Sequence, residues 1–178
     1  MQDFEGFFKA QYPRLCYFAS QLTAGSLVAE DLVQDAFLKY YDRHSEFEQE
    51  TAAVAYLYTT VRNSCLNHLR HQKVVTGYLH SKEADPIEEP AVLQAIIKAE
   101  ALGEIYKAVD ELPSGCASVF RLCYFEGLKN QEVADQLGVS INTIKTQKAR
   151  ALQFLRLRLS PEVMAILITL PTIVSRFR

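Results

Sequence analysis

The sequence has no apolar run of the roughly 18 residues that a membrane-spanning helix needs. Its start, MQDFEGFFKAQYPRL, lacks the basic segment leading an apolar one that marks a secretion signal. Both absences predict a cytoplasmic chain without membrane insertion. Cysteine is sparse: Cys16, Cys65, Cys116 and Cys123 are scattered without a CxxC pair, which leaves little support for a disulfide framework or a closed zinc site. Cys65, His68 and His71 recur every third residue, and this drifts about 120° around a helix, a poor match to the i, i+4 spacing of paired helical ligands. No metal and no cofactor are therefore expected. There is also no series of alternating strands bounded by tight turns. No nucleophile, base and orienting group converge in any motif, so the chain does not read as an enzyme. At 178 residues it is too short for a large catalytic barrel but long enough for two small helical cores.

What is present is an ordinary globular composition, 49% hydrophobic and 22% charged, with a formal net charge of −2. That small charge conceals strong patterning. Residues 61–82 hold Arg62, Arg70, Lys73 and Lys82 with no acid, and residues 137–160 hold Lys145, Lys148, Arg150, Arg156 and Arg158 with no acid. Residues 1–60 and 83–111 are acidic. The two basic windows suit local contact with phosphate, while the acidic remainder cancels long-range attraction.

Helical periodicity dominates. In AEDLVQDAFLKYYDR, the residues Leu32, Val33, Ala36, Phe37, Tyr40 and Tyr41 form a buried stripe. The opposite face carries Asp31, Gln34, Asp35, Leu38 and Asp42, an acidic surface with a leucine in its middle; spacing alone fits a solvated face and a partner-binding face equally. After HSEFEQET a second long helix buries Val54, Leu57, Tyr58, Val61, Cys65, Leu66 and Leu69. Its exposed side shows Thr59, Arg62, Asn63, Asn67 and Arg70, guanidinium groups mixed with amides, which suits phosphates and base edges but also plain solvation.

The stretch GYLHSKEADPIEEP has two prolines and no apolar period, and it predicts a linker over 77–90. A helix is expected from about Val92 to Leu112, with Leu93, Ile96, Ile97, Leu102, Ile105, Tyr106 and Val109 in its core. A short helix around 117–125, ended by Gly127, should follow. In NQEVADQLGVSINTIKTQKARALQFLRLR, a helix with Val133, Ala134 and Leu137 stops at Gly138, and Ser140 can cap a longer helix after the turn. This is a helix-turn-helix pattern. Ile144, Ala151, Leu155 and Leu159 would anchor the second helix, leaving Asn142, Thr143, Lys145, Thr146, Gln147, Lys148 and Arg150 on or near its outer side. Amides and hydroxyls that read bases, beside cations that neutralise phosphate, are what a recognition helix needs.

The order of these pieces resembles the extracytoplasmic-function sigma factors of the sigma-70 family. The match is carried by AEDLVQDAFLKYYDR with AYLYTTVRNSCLNHLR in the first half and by LPSGCASVFRLCYFEGLKNQEVADQLGVSINTIKTQKARALQFLR in the second, within a similarity over roughly residues 5–158. The resemblance implies an all-α chain of two small domains, a helical bundle over 1–76 and a helix-turn-helix domain over 91–159. These would be joined by the 77–90 linker and followed by an apolar extension over 160–178. It implies a factor that binds core RNA polymerase, through the β′ clamp helices and the β flap, and promoter DNA, with an anti-sigma factor as a further candidate partner. On this resemblance Asp31, Gln34, Asp35, Leu38 and Asp42 grip polymerase. Phe47, in the loop that receives an unstacked base, and Arg62, Asn63, Asn67 and Arg70 engage the −10 element. Ser140, Asn142, Thr143, Lys145, Thr146, Gln147, Lys148 and Arg150 engage the −35 element.

A fourteen-residue linker extends to about 45–50 Å, close to the roughly 50 Å between two sites one and a half duplex turns apart. The alternative is a response-regulator-type helix-turn-helix activator, which needs a βα receiver where residues 1–76 read as helices. Two departures from the family pattern stand out. Lys129 replaces the common Ser or Thr cap, so Asn130 is expected to cap instead, and Lys148 replaces an apolar residue. The extension is expected to pack as an added helix on the second domain, or to restrain activity by docking elsewhere.

Overall fold

A computed structural model describes residues 4–23, 26–75 and 89–169. Among the described residues every regular element is helical. Two compact units, Met1–Glu100 and Ala101–Arg178, divide the chain.

The first unit is built on α1 (Phe4–Thr23), α2 (Ser26–Arg43) and α3 (Glu50–Val75), each packed against the other two. The apolar periodicity dictates the arrangement. Leu15, Phe18 and Ala19 meet Val33, Ala36, Phe37 and Tyr40 from α2 and Ala53, Leu57, Val61 and Cys65 from α3, all buried. Burying each large side chain contributes about 1.5–3 kcal/mol. Aromatic rings seal one side, with Phe7 5.2 Å from Tyr40 and Phe8 4.6 Å from Phe37, centroid to centroid. Tyr41, expected in the stripe, is instead 55% exposed.

Helix α4 runs Glu89–Asp110, so Glu89 and Pro90, assigned to the linker by sequence, open a helix. The rest of that linker, 77–88, lies outside the described residues. The unit division falls inside α4. Its buried stripe is Val92, Ala95, Ala99, Leu102, Ile105 and Val109, whereas Leu93 and Ile97, expected in the core, are exposed. Two apolar rows lie one residue apart here, and the seat goes to the row with small Ala95 and Ala99, which permit close approach of backbones. The first half of α4 is tied to the first unit by polar contacts. The Glu100 carboxylate accepts hydrogen bonds from the Tyr58 hydroxyl (2.7 Å) and the Arg14 guanidinium (2.8 Å).

The second unit continues with α5 (Ser114–Phe120), which runs into a π-helical turn over Arg121–Phe125. There the Glu126 N–H reaches back five residues to the Arg121 carbonyl at 3.0 Å. Gly127 takes φ of 72° and Gly138 φ of 65°, the left-handed values that glycine adopts without strain. Next come α6 (Asn130–Leu137), α7 (Ile141–Arg158) and α8 (Pro161–Thr169). Val119, Leu122, Val133, Ala134 and Ile144 form one buried cluster that clasps α5, the π turn, α6 and α7. Leu137, expected in this core, is 39% exposed. Helix α8 packs against α7 and buries Val163, Met164 and Leu167, with the Ser160 hydroxyl accepting from the Val163 N–H at 3.3 Å.

Candidate nucleic-acid and protein interfaces

Because Val33, Ala36, Phe37 and Tyr40 turn inward, α2 presents Asp31, Gln34, Asp35, Leu38 and Asp42 outward, all five exposed. Gln34 Nε2 donates a long 3.4 Å hydrogen bond to the Tyr12 hydroxyl. Leu38 is 66% exposed and Leu27 79%. Leu27, Asp31, Gln34, Leu38 and Tyr41 are spaced 4, 3, 4 and 3 residues apart, the repeat of a seam that faces another helix. Leu27 and Tyr41 extend this row beyond what the sequence motif indicates, because AEDLVQDAFLKYYDR begins at Ala29 and Tyr41 falls on its apolar stripe. The start of α2 at Ser26 supplies the missing turn.

On α3, Asn63, Asn67 and Arg70 are exposed together on one side, with Arg70 donating to the Asn67 amide oxygen at 3.4 Å. Arg62 differs. Half-buried, it gives its guanidinium to the Glu89 carboxylate at 2.5 Å. Phe47 follows the 3-10 turn His44–Glu46 and is held between aromatic neighbours, 5.5 Å from Tyr40 and 5.1 Å from Tyr56. Arg43 lies 5.5 Å over the other partner, Tyr56, and pairs with Glu46 at 2.7 Å. The guanidinium holds the Glu46 carboxyl below its usual range. Arg43 and Tyr56 thus complete the surroundings of Phe47. Their signal in the sequence is faint, a cation and an aromatic thirteen residues apart.

Cys65 is buried in the α1–α3 core, where desolvation pushes its thiol up to about 12. Among the described residues no three His, Cys, Asp or Glu side chains are grouped to hold a metal ion.

In the helix-turn-helix, Lys129 precedes α6 in extended conformation, and its N–H donates to the Glu132 carboxylate at 2.6 Å. Glu132 therefore satisfies the helix start, and Asn130, expected as the cap, is the first helical residue with its amide oxygen used elsewhere. Ser140 caps α7 as expected: its hydroxyl accepts from the Thr143 N–H at 3.1 Å. With Ile144, Ala151 and Leu155 buried, α7 exposes Asn142, Lys145, Thr146 and Arg150, while Thr143 is half-buried against the cap. Gln147 and Lys148 turn away from this outward group. Gln147 lies over Gly115 of α5, so close that a Cβ there would stand 2.7 Å from its Oε1. Lys148 Nζ donates to Asn130 Oδ1 at 3.3 Å and sits 5.1 Å from the Tyr124 ring centroid. The α2 and α3 residues belong to the first unit and the α7 residues to the second.

Residues 7–74 match the family model described as Sigma-70 region 2, and residues 102–155 match Sigma-70, region 4. Two such matches in chain order define the sigma-70 class of helical proteins. The RNA polymerase sigma-H factor of Pseudomonas aeruginosa is 24% identical over 142 residues, 75% of this chain and 74% of that protein. The ECF RNA polymerase sigma factor SigL of Mycobacterium tuberculosis is 29% identical over 150 residues, 80% of each chain. A solved structure of the sigma factor RpoE with the anti-sigma factor NepR from Bartonella quintana aligns over 93% of this chain and 98% of that one, at 23% identity and a TM-score of 0.38. The chain belongs to the sigma-70 family, in its extracytoplasmic-function group, and is an RNA polymerase sigma factor that directs transcription initiation. The response-regulator alternative is not favoured, since the first half matches region 2.

Proposed function

We propose that the first unit holds core polymerase and engages the −10 element while the second engages the −35 element, with no chemistry of its own. The α2 face, Leu38 among Asp31, Gln34, Asp35 and Asp42, holds core RNA polymerase. The leucine supplies desolvation and the acids select a basic partner surface. Phe47, Arg62, Asn63, Asn67 and Arg70 engage the −10 element, where binding an extruded single strand offsets the few kcal/mol of unstacking. Ser140, Asn142, Thr143, Lys145, Thr146 and Arg150 engage the −35 element in the major groove. The observation that carries this reading is the outward face of α7, which combines amide, hydroxyl and cationic groups with no carboxylate, on the second helix of a helix-turn-helix. The division into two units, Met1–Glu100 and Ala101–Arg178, would let both faces reach one promoter. A location in the cytoplasm, where polymerase works, agrees with this role. An anti-sigma factor would bind by covering either face.

Run-off transcription with purified core polymerase tests the division. Asp35→Arg should weaken core association, while Arg150→Ala should spare it and weaken promoter binding by about 1–3 kcal/mol if Arg150 reads a base. Identical behaviour of the two variants would overturn it.

A further inference from the structure

We infer that Lys148 is a positioning residue that seats α7 on its own domain, not a DNA contact, and that Ala149 and Gln153 complete the face that reads the −35 element. The inference deepens the DNA-binding role proposed for α7 and rests on it.

The argument starts from rotation. At 100° per residue, the buried seam Ile144, Ala151 and Leu155 defines one side of α7, and the centre of the opposite side falls on Asn142, Thr146, Ala149 and Gln153, flanked by Lys145 and Arg150. All six are exposed. Lys148 lies more than about 120° from that centre, directly beside the seam. Its half-buried stem runs along the domain, and its ammonium meets two groups from different elements. One is the amide oxygen of Asn130, at the first position of α6. The other is the ring face of Tyr124, in the π turn. The same Asn130 oxygen has the Cys123 thiol 3.9 Å away. The cation over a ring and the amide acceptor would both be lost if the side chain swung out to phosphate. On the other side of the seam, the Gln147 amide rests on Gly115 of α5. The two polar side chains thus brace α7 from both flanks and fix which residues point outward. Ala149, with only a methyl group, lets the backbone approach the groove floor and can meet a thymine methyl. Gln153 offers the donor and acceptor pair that suits adenine.

The test has two arms on the full chain. In thermal melts without DNA, Lys148→Met and Asn130→Ala should destabilise non-additively, and Lys148→Arg should restore wild-type behaviour, because the guanidinium keeps both contacts. Additive melts would overturn the brace. With the chain bound to core polymerase, the probe is a duplex enriched from a random pool by the wild-type complex. Lys148→Met should lower affinity at most about tenfold, from the loss of one hydrogen bond and one cation–π contact, and leave the salt slope unchanged. Lys145→Met should reduce that slope by about 0.9, the value for one phosphate contact. Gln153→Ala should relax discrimination at one base position. A Lys148→Met slope that falls like that of Lys145→Met, or a Gln153→Ala complex with intact discrimination, would overturn the inference. If the wild-type complex enriches no duplex, the DNA-binding reading of α7 fails, and the melts still decide whether Lys148 braces the helix.

Discussion

Substituting Glu100 by Gln should loosen the first half of α4 from the bundle while leaving the second unit intact. Glu100 accepts from Tyr58, which is buried, at 2.7 Å and from Arg14 at 2.8 Å. Hydrogen bonds to a charged group are worth about 1.5–3 kcal/mol each when buried. The Glu100 side chain is 42% exposed and that of Arg14 20%, so solvent screening reduces the Coulombic part. Glu100→Gln keeps an acceptor oxygen but loses the charge, an expected loss of about 1–2 kcal/mol. Glu100→Ala, which also leaves the Tyr58 hydroxyl without its acceptor, should cost about 2–3 kcal/mol. Tyr58→Phe combined with Glu100→Gln should show a coupling of about 1 kcal/mol in a double-mutant cycle. The chain has no tryptophan, so hydrogen exchange followed by mass spectrometry is the suitable assay. Peptides covering residues 92–99 and 57–61 should exchange faster, while peptides from α5 to α7 keep their protection. Unchanged exchange at 92–99, or an equal rise throughout the second unit, would refute the reasoning.

Leu38→Asp should leave the helical content intact and lower the affinity for core polymerase at least tenfold, since burying a leucine contributes about 1.5–3 kcal/mol; Leu27→Asp should act in the same direction, and titration against fluorescently labelled polymerase measures both. Desolvation pushes the Cys16 and Cys65 thiols up to about 12 from 9.0. Above pH 9 the unfolded chain therefore releases protons that the folded chain retains, and stability present below that pH should fall towards pH 12, by up to about 2.7 kcal/mol per pH unit for both thiols. Urea unfolding at pH 8 and pH 9.5 checks this, and a double Cys→Ala variant should reduce the dependence, the remainder at higher pH coming from tyrosines such as Tyr58 and Tyr106, which burial also pushes up. Ser140→Ala removes the acceptor for the Thr143 N–H and should cost about 1 kcal/mol, read as a lower melting temperature. Gln147→Met keeps the packing over Gly115 but removes an oxygen that is buried without a hydrogen-bond partner among the described residues, so it should stabilise by about 1 kcal/mol in denaturant titrations and leave promoter affinity unchanged.

The helices, the turn at Gly138 and the cap at Ser140 were legible because each leaves a local signature: a 3.6-residue apolar period, a glycine at a left-handed position, a hydroxyl before a helix. Most of the outward faces of α2 and α3 followed from that period, with Tyr41 and Arg62 as the exceptions. Direction within a face was less legible. Lys148 stands in an acid-free window, and charge sign does not reveal that its stem lies along Tyr124 and Asn130. Gln147 looks like a base reader until Gly115, some thirty residues earlier, is seen to provide its seat. In α4, neighbouring rows of apolar residues gave no way to choose between Leu93 with Ile97 and Val92 with Ala95, because that choice depends on the helix it meets. Arg62 reads as a free cation in sequence, and only tertiary structure sets Glu89 beside it.

The π turn at Arg121–Phe125 makes the length of this segment unforgiving. It houses one residue more than a regular helix would, and that surplus sets the orientation of everything it carries. Tyr124 stacks on Phe120 at 4.5 Å, and Phe125 meets Tyr106 at 4.6 Å. Deleting one residue would restore ordinary winding with little change in the direction of the chain beyond it, and would leave one side chain fewer to line the turn, where Tyr124 faces Lys148 and Phe125 faces Tyr106. Point substitutions in the turn can be absorbed by repacking, whereas a change in residue count cannot, so related chains that keep this arrangement must also keep the spacing from Ser114 to Gly127.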